Sequence, residues 1–299
     1  MTTYQHQSKN IRNTIFLFLL FSTLTTLIGL GVSLVTKNEI YLVGAAGIAL
    51  FQGFSGYFFG ENMALASAGG QKQDLSTSPA LYNIVEDLAR IAGIPTPDVY
   101  ISGDPSANAF ACGRGPGRAS ICVNQGLLDM LTKAELEGVL AHEISHIKNR
   151  DILTMTMAMV MSSVIAIVCD LGMRASLFSS DKEDNKSNPF TIIFLVISFL
   201  VAPFLATLLT LAVSRSREYL ADASAVQITR YPQGLISALE KISSSPVPAH
   251  NYSASTAHFY ISEPKKEYGE KVKDGWFSTH PAMENRIKAL LDQDGLLKK

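Results

Sequence analysis

The chain has 299 residues, of which 47% are hydrophobic and 17% charged, with a formal net charge of -1 and a mean hydropathy of +0.19. That balance argues against an ordinary soluble two-domain protein and points to the membrane. The near-neutral charge and lack of a basic run argue against nucleic acid as the main partner. Cys112, Cys122 and Cys169 have neither metal-ligand spacing nor an obvious disulfide frame, so they fit a reducing compartment and receive no role.

Residues 14–36 are apolar and free of charge, preceded by Lys9 and Arg12, and are long enough to cross a bilayer as an α-helix. A cleaved signal peptide would have a shorter apolar region and a small-residue cleavage site, so a retained anchor is favoured. Residues 41–59 form a second apolar run after Lys37, Asn38 and Glu39. Residues 1–60 therefore read as a transmembrane hairpin, in which Gly44, Gly47, Gly53 and Gly56 suit close helix contact.

Residues 61–151 have the composition of a soluble catalytic region. Ser78-Pro79 opens a helix whose apolar face is Leu81, Ile84, Val85, Leu88 and Ile91, and Gly93 with Pro95 closes it. Strands are expected over 98–102, 108–112 and 119–123, the last two joined by a glycine-rich hairpin turn at 113–118. That glycine run does not open a helix with Gly-Lys-Ser/Thr, so it is not a phosphate loop.

Thr132 and Glu135 form a capping box that starts the next helix. Leu136, Leu140, Ile144 and Ile147 recur on its buried stripe. His142-Glu143-Ile144-Ser145-His146 lies within that helix. Residues four apart share a face, so His142 and His146 can present two imidazole nitrogens to one metal ion, while Glu143 stands beside them as a base. Two nitrogen ligands and a carboxylate base are what metal-assisted hydrolysis of a peptide bond requires.

Residues 152–213 contain a third apolar run at 152–168 and a fourth at 190–213, separated by a polar loop over 174–189. The third is weaker because of Thr154, Thr156, Ser162 and Ser163, and a buried core helix is its alternative. Lys9 and Arg12, Lys148 and Arg150, and Arg215 and Arg217 fall on one side, which the positive-inside rule makes the cytoplasm. Arg174, Lys182 and Lys186 in the intervening loop keep that bias modest. Lys148, Arg150, Arg215 and Arg217 are expected at the lipid headgroups.

A catalytic zinc takes a third protein ligand. The best candidate is Glu218, in the C-terminal catalytic region at 214–299, with Asp222 one turn on and able to hydrogen-bond a ligand histidine. The other reading is a solvated acidic face. If both helices run unbroken out of the bilayer, the rise of about 1.5 Å per residue puts His146 and Glu218 side by side, roughly 8 to 9 Å above the surface.

The motifs together resemble those of HtpX-type membrane zinc metalloproteases. They are Pro95-Thr96-Pro97, the Asn108 to Gly113 segment, His-Glu-x-x-His-x-x-x-x-Asp ending at Asp151, Glu218-x-x-x-Asp222, and His280-Pro281 followed by Arg286-Ile287. The resemblance covers nearly the whole chain. It implies His142, His146 and Glu218 as ligands of one zinc ion, Glu143 as base, and protein quality control in a bacterial inner membrane. It also favours a cleft position for His280, as donor to the developing oxyanion, with Arg286 packing or pairing nearby; the alternative is an ordinary surface or core histidine. Asn108, Ala109 and Phe110 are substrate-binding candidates if their strand is a sheet edge beside the metal; an ordinary buried hairpin is the alternative.

The expectation is thus a multi-pass α-helical membrane protein with a cytoplasmic α+β zincin-like metalloprotease domain. Its partners are polypeptide substrates, membrane proteins above all, and the lipid bilayer. A CAAX prenyl endoprotease-like enzyme would have more spans, and a metal-stabilised scaffold would want a fourth Cys or His ligand.

Overall fold

The computed structural model of the chain describes residues 3–163, 215–247, 261 and 281–297. The fourth apolar run, the end of the third, the loop at 174–189, Cys169 and His280 lie outside the described residues. Helix α1 spans Thr3–Thr36 and α2 Ile40–Ser67. Both are long and apolar enough to cross a membrane. Only 22% and 33% of their apolar windows are buried, which a core helix of a soluble protein would reverse. Ile15, Phe16, Leu19, Leu50, Phe51 and Phe54 are among the exposed side chains.

Strand β1 (Gly70–Gln73), helix α3 (Pro79–Ala92), strands β2 (Asp98–Ser102), β3 (Ala109–Gly115) and β4 (Arg118–Asn124), helix α4 (Gln125–Met130) and helix α5 (Lys133–Lys148) follow. The sheet order is β1-β2-β4-β3. β2 pairs in parallel with β4, and the other two pairings are antiparallel. The hairpin expected at 113–118 is tighter, because the strands run to Gly115 and Arg118 with an irregularity at Gly113/Gly115. Gly113 has φ 130°, and a Cβ there would lie 2.4 Å from the Arg118 carbonyl oxygen, so only glycine fits this close pairing.

Alternation along β3 and β4 divides the sheet's two faces. Ala109, Ala111, Ile121 and Val123 join α3 and α5 in the main core. Phe110, Cys112 and Cys122 join Ala64 and Leu65 of α2 with Met155, Met159 and Val160. Those last three lie on helix α6, described over 151–163. The two sulfhydryls are free and buried, and burial raises both thiol pKa values, so neither behaves as a reactive thiolate.

α6 joins the bundle of α1 and α2. Thr14 Oγ1 of α1 lies 2.8 Å from Thr154 Oγ1, and Leu17 and Phe21 pack on Met157, Ala158 and Met161; the order of these contacts makes α1 and α6 parallel. On α2, Gln52 Nε2 donates to the Met161 carbonyl at 2.9 Å, and Gly60 packs against Thr156 so closely that a Cβ would lie 2.6 Å from its methyl. The described part of the third apolar run thus packs as a member of the same bundle as the two candidate spans.

The expectation that α5 runs unbroken into the third apolar run is corrected. α5 stops at Lys148, and Arg150 has φ 60°, a left-handed conformation that costs a non-glycine residue roughly 1–2 kcal/mol. The apolar stripe on α5 is also wider than the periodicity suggests. From Leu136 to Ile147 every residue but Glu137 is buried, because β3, α3 and two further helices pack on it and a third helix closes the group behind them. Those are α7 (Arg215–Thr229), α8 (Pro232–Ser244) and α9 (Met283–Leu297).

Candidate metal centre

α5 and α7 bring together the residues that spacing had singled out. His146 meets Glu218, while His142 meets Glu218 and Asp222, the pattern of two antiparallel helices. The His142 and His146 Nε2 atoms are 3.1 Å apart. Glu218 Oε1 lies 3.5 Å from His146 Nε2, and its Oε2 3.6 Å from His142 Nε2. Ligands at about 2.0–2.1 Å from a tetrahedral zinc stand roughly 3.3 Å from one another. The three donor groups therefore fit the ion, and they form the metal-type cluster found among the described residues.

The other ring nitrogens are held by carboxylates. His142 Nδ1 lies 2.9 Å from Asp222 Oδ1, and His146 Nδ1 lies 3.1 Å from Asp151 Oδ2. Each carboxylate accepts the Nδ1 proton and leaves the Nε2 lone pair aimed at the cluster. Asp222 is the support expected for a ligand histidine. Asp151 stands in the sequence motif, yet its role depends on the left-handed turn at Arg150, which brings the first residue of α6 back toward α5.

Arg286 of α9 is fully buried and grips Asp222 with two parallel bonds, Nε to Oδ2 at 2.9 Å and Nη2 to Oδ1 at 2.7 Å. Its Nη1 donates to the Ile261 carbonyl at 2.7 Å and stands 3.8 Å from Glu218 Oε2. Burial works against the Asp222 carboxylate, but Arg286 and His142 outweigh it and hold its pKa at about 2. Burial likewise disfavours a charged His142, and hydrogen bonds to Asp222 and Glu218 reverse this, raising its pKa to about 9. Glu143 is 5% exposed. Burial raises its pKa against the opposing pull of His142, His146 and the Ala111 backbone N–H, which makes it a stronger base.

Arg217, expected at the headgroups, is instead buried within the field of Asp151 and Glu218. Four carboxylates, of Glu143, Asp151, Glu218 and Asp222, thus face the guanidiniums of Arg217 and Arg286. With neutral imidazoles the pocket carries two excess negative charges, an expensive state for buried groups. A divalent cation cancels it, and the proton that His142 attracts expresses the same demand.

β3 is an edge of the sheet, packed against α5. The Asn108, Ala109 and Phe110 side chains are all buried, so none of them presents a side-chain surface at this edge. Asn108 Oδ1 accepts the Ile261 N–H at 2.9 Å, and Arg286 holds the carbonyl of the same residue. Ile261 is a link that sequence reasoning missed, and no local pattern announces it.

The sequence pattern of peptidase family M48 matches residues 76–294. The chain is 39% identical to a protease HtpX homolog from Streptococcus uberis, over 96% of this chain and 98% of that one. It is 43% identical to a protease HtpX homolog from Dictyoglomus turgidum, over 97% and 94%. Among solved structures, that of S. mikatae Ste24p is similar with a TM-score of 0.49 and 18% identity, over 96% of this chain and 67% of that one.

Proposed function

The chain belongs to peptidase family M48 and is a membrane-bound metalloprotease, and on that premise we propose how its site works. His142, His146 and Glu218 hold one zinc ion through Nε2, Nε2 and the carboxylate. The observation that carries this assignment is the convergence of those three donors at tetrahedral spacing beside a buried carboxylate that is not one of them. Zinc supplies Lewis-acid polarisation of the scissile carbonyl and makes water acidic enough to deprotonate near neutral pH.

Glu143 accepts the proton of the attacking water and delivers it to the leaving amine. Its raised pKa suits both halves of that transfer. Asp222 and Asp151 keep each imidazole in the tautomer that offers Nε2. Arg286 holds Asp222 ionised and in place. The substrate lies extended beside the outer edge of β3, with its scissile peptide next to Glu143. His280 is the proposed donor to the oxyanion.

The substrates are proposed to be membrane proteins or misfolded chains, cut at the cytoplasmic surface of a bacterial inner membrane as part of protein quality control. Lys148, Arg150 and Arg215 support that orientation. The test is zinc content and peptidase activity on an unfolded polypeptide, for the wild type and Glu143→Gln. Zinc in both with turnover in the wild type alone is expected; a zinc-free wild type or an active variant overturns the reading. A cysteine at exposed Arg118 should be shielded from an impermeant thiol reagent in intact cells, and labelling from outside would reverse the orientation.

A further inference from the structure

The support of His146 comes partly from the membrane bundle. Asp151 reaches His146 only because the chain turns through the left-handed Arg150. Asn10 of α1, 141 residues from Asp151 in sequence, donates from Nδ2 to Asp151 Oδ1 at 2.5 Å. The same amide donates to the Asn149 carbonyl at 3.0 Å. One side chain thus holds the residues on both sides of the turn. Asn10, Asn149, Asp151 and His146 are 5%, 5%, 1% and 3% exposed, so solvent does not take the place of the amide.

We infer that Asn10 is a positioning residue of the metal centre, acting through Asp151 to orient His146, so that docking of α1 on α6 is a condition of tight metal binding. A carboxylate has two oxygens, and Asp151 gives one to His146 and the other to Asn10. Without the amide it is free to rotate away from Nδ1, and the imidazole loses its fixed tautomer and direction. Thr14 and Thr154, one turn further along the same two helices, make a comparable buried contact that touches neither Asp151 nor His146. That pair separates a general role in helix packing from a specific role at the metal.

The inference rests on the zinc reading of the site, and its test reads zinc affinity by chelator competition on the full chain in detergent. Asn10→Ala should weaken zinc binding about 10- to 100-fold, the usual effect of losing an outer support, and should alter the ligand-field spectrum of the cobalt-substituted protein. Thr14→Val should leave affinity within about twofold. On an Asp151→Asn background, Asn10→Ala should add less than about threefold, since residues acting through one another are not additive. Should Asn10→Ala fail to fold, Asn10→Ser carries the same comparison. Unchanged affinity in the Asn10 variant, or an equal loss with and without Asp151, overturns the inference. A wild type that does not bind zinc overturns the parent reading instead.

Discussion

His142 and His146 meet edge to face, with ring centroids 4.7 Å apart and planes at 89°, so that their Nε2 atoms converge on one point with Glu218 opposite. Two side chains hold zinc weakly, and affinity depends on the full set. His146→Ala and Glu218→Ala are therefore expected to lose the metal on dialysis while the wild type keeps about one zinc per chain. Metal analysis checks this, and stoichiometric zinc in the Glu218 variant would move the third ligand elsewhere.

Glu143→Gln preserves the shape of the side chain and removes only the base. Zinc should stay bound and turnover should fall by about 10²- to 10⁴-fold, the range for a positioned acid–base group. The comparison is kcat against zinc content in one preparation. Near-wild-type kcat would show that the proton goes to another group.

Arg286→Met removes the counter-charge of Asp222 from a fully buried position. Breaking such a pair costs about 3–5 kcal/mol, because the remaining Asp222 charge keeps only its contact with His142 and is shut off from water. Arg286→Lys should rescue little, since an ammonium cannot form two parallel bonds to Asp222 and still reach Ile261. Denaturant unfolding of the metal-free proteins measures both, and midpoints equal to wild type would refute the assignment.

Glu135 should contribute to acid sensitivity. Burial opposes its ionisation, but hydrogen bonds from Lys241, Ser237 and Thr132 hold its pKa at about 2 against an ordinary 4.5. The folded-state pKa is depressed, so its contribution is complete above about pH 4.5 and is lost as pH falls toward 2. Glu135→Gln should melt below wild type at pH 6, with the gap closing as the acid limit is approached. A gap independent of pH would mean that the carboxylate's charge plays no part in joining α5 to α8.

The legible parts of this molecule were those written locally. The capping box at Thr132 and Glu135 was readable because both partners lie within one turn, and the Thr132 backbone N–H donates to Glu135 Oε2 at 2.7 Å. The strand over 98–102 was readable from its composition, but its parallel pairing with β4 was not, because the register of separated strands is set by what each face buries. β1 is short and polar and has no apolar alternation to announce it. His142, His146, Glu218 and Asp222 declared themselves by i, i+4 spacing. Asp151 did not, since its meaning hangs on one left-handed residue, and Asn10 and Ile261 act across more than a hundred residues.

The grip of Arg286 on Asp222 also sets a schedule. Arg286 lies 144 residues beyond His142 in the chain. At the usual pace of synthesis, roughly 5–20 residues per second, it emerges about 7–30 s later. Through that interval the nascent polypeptide carries the two histidines of the candidate metal centre without the clamp that orients one of them. The candidate site is therefore complete only once translation is nearly finished.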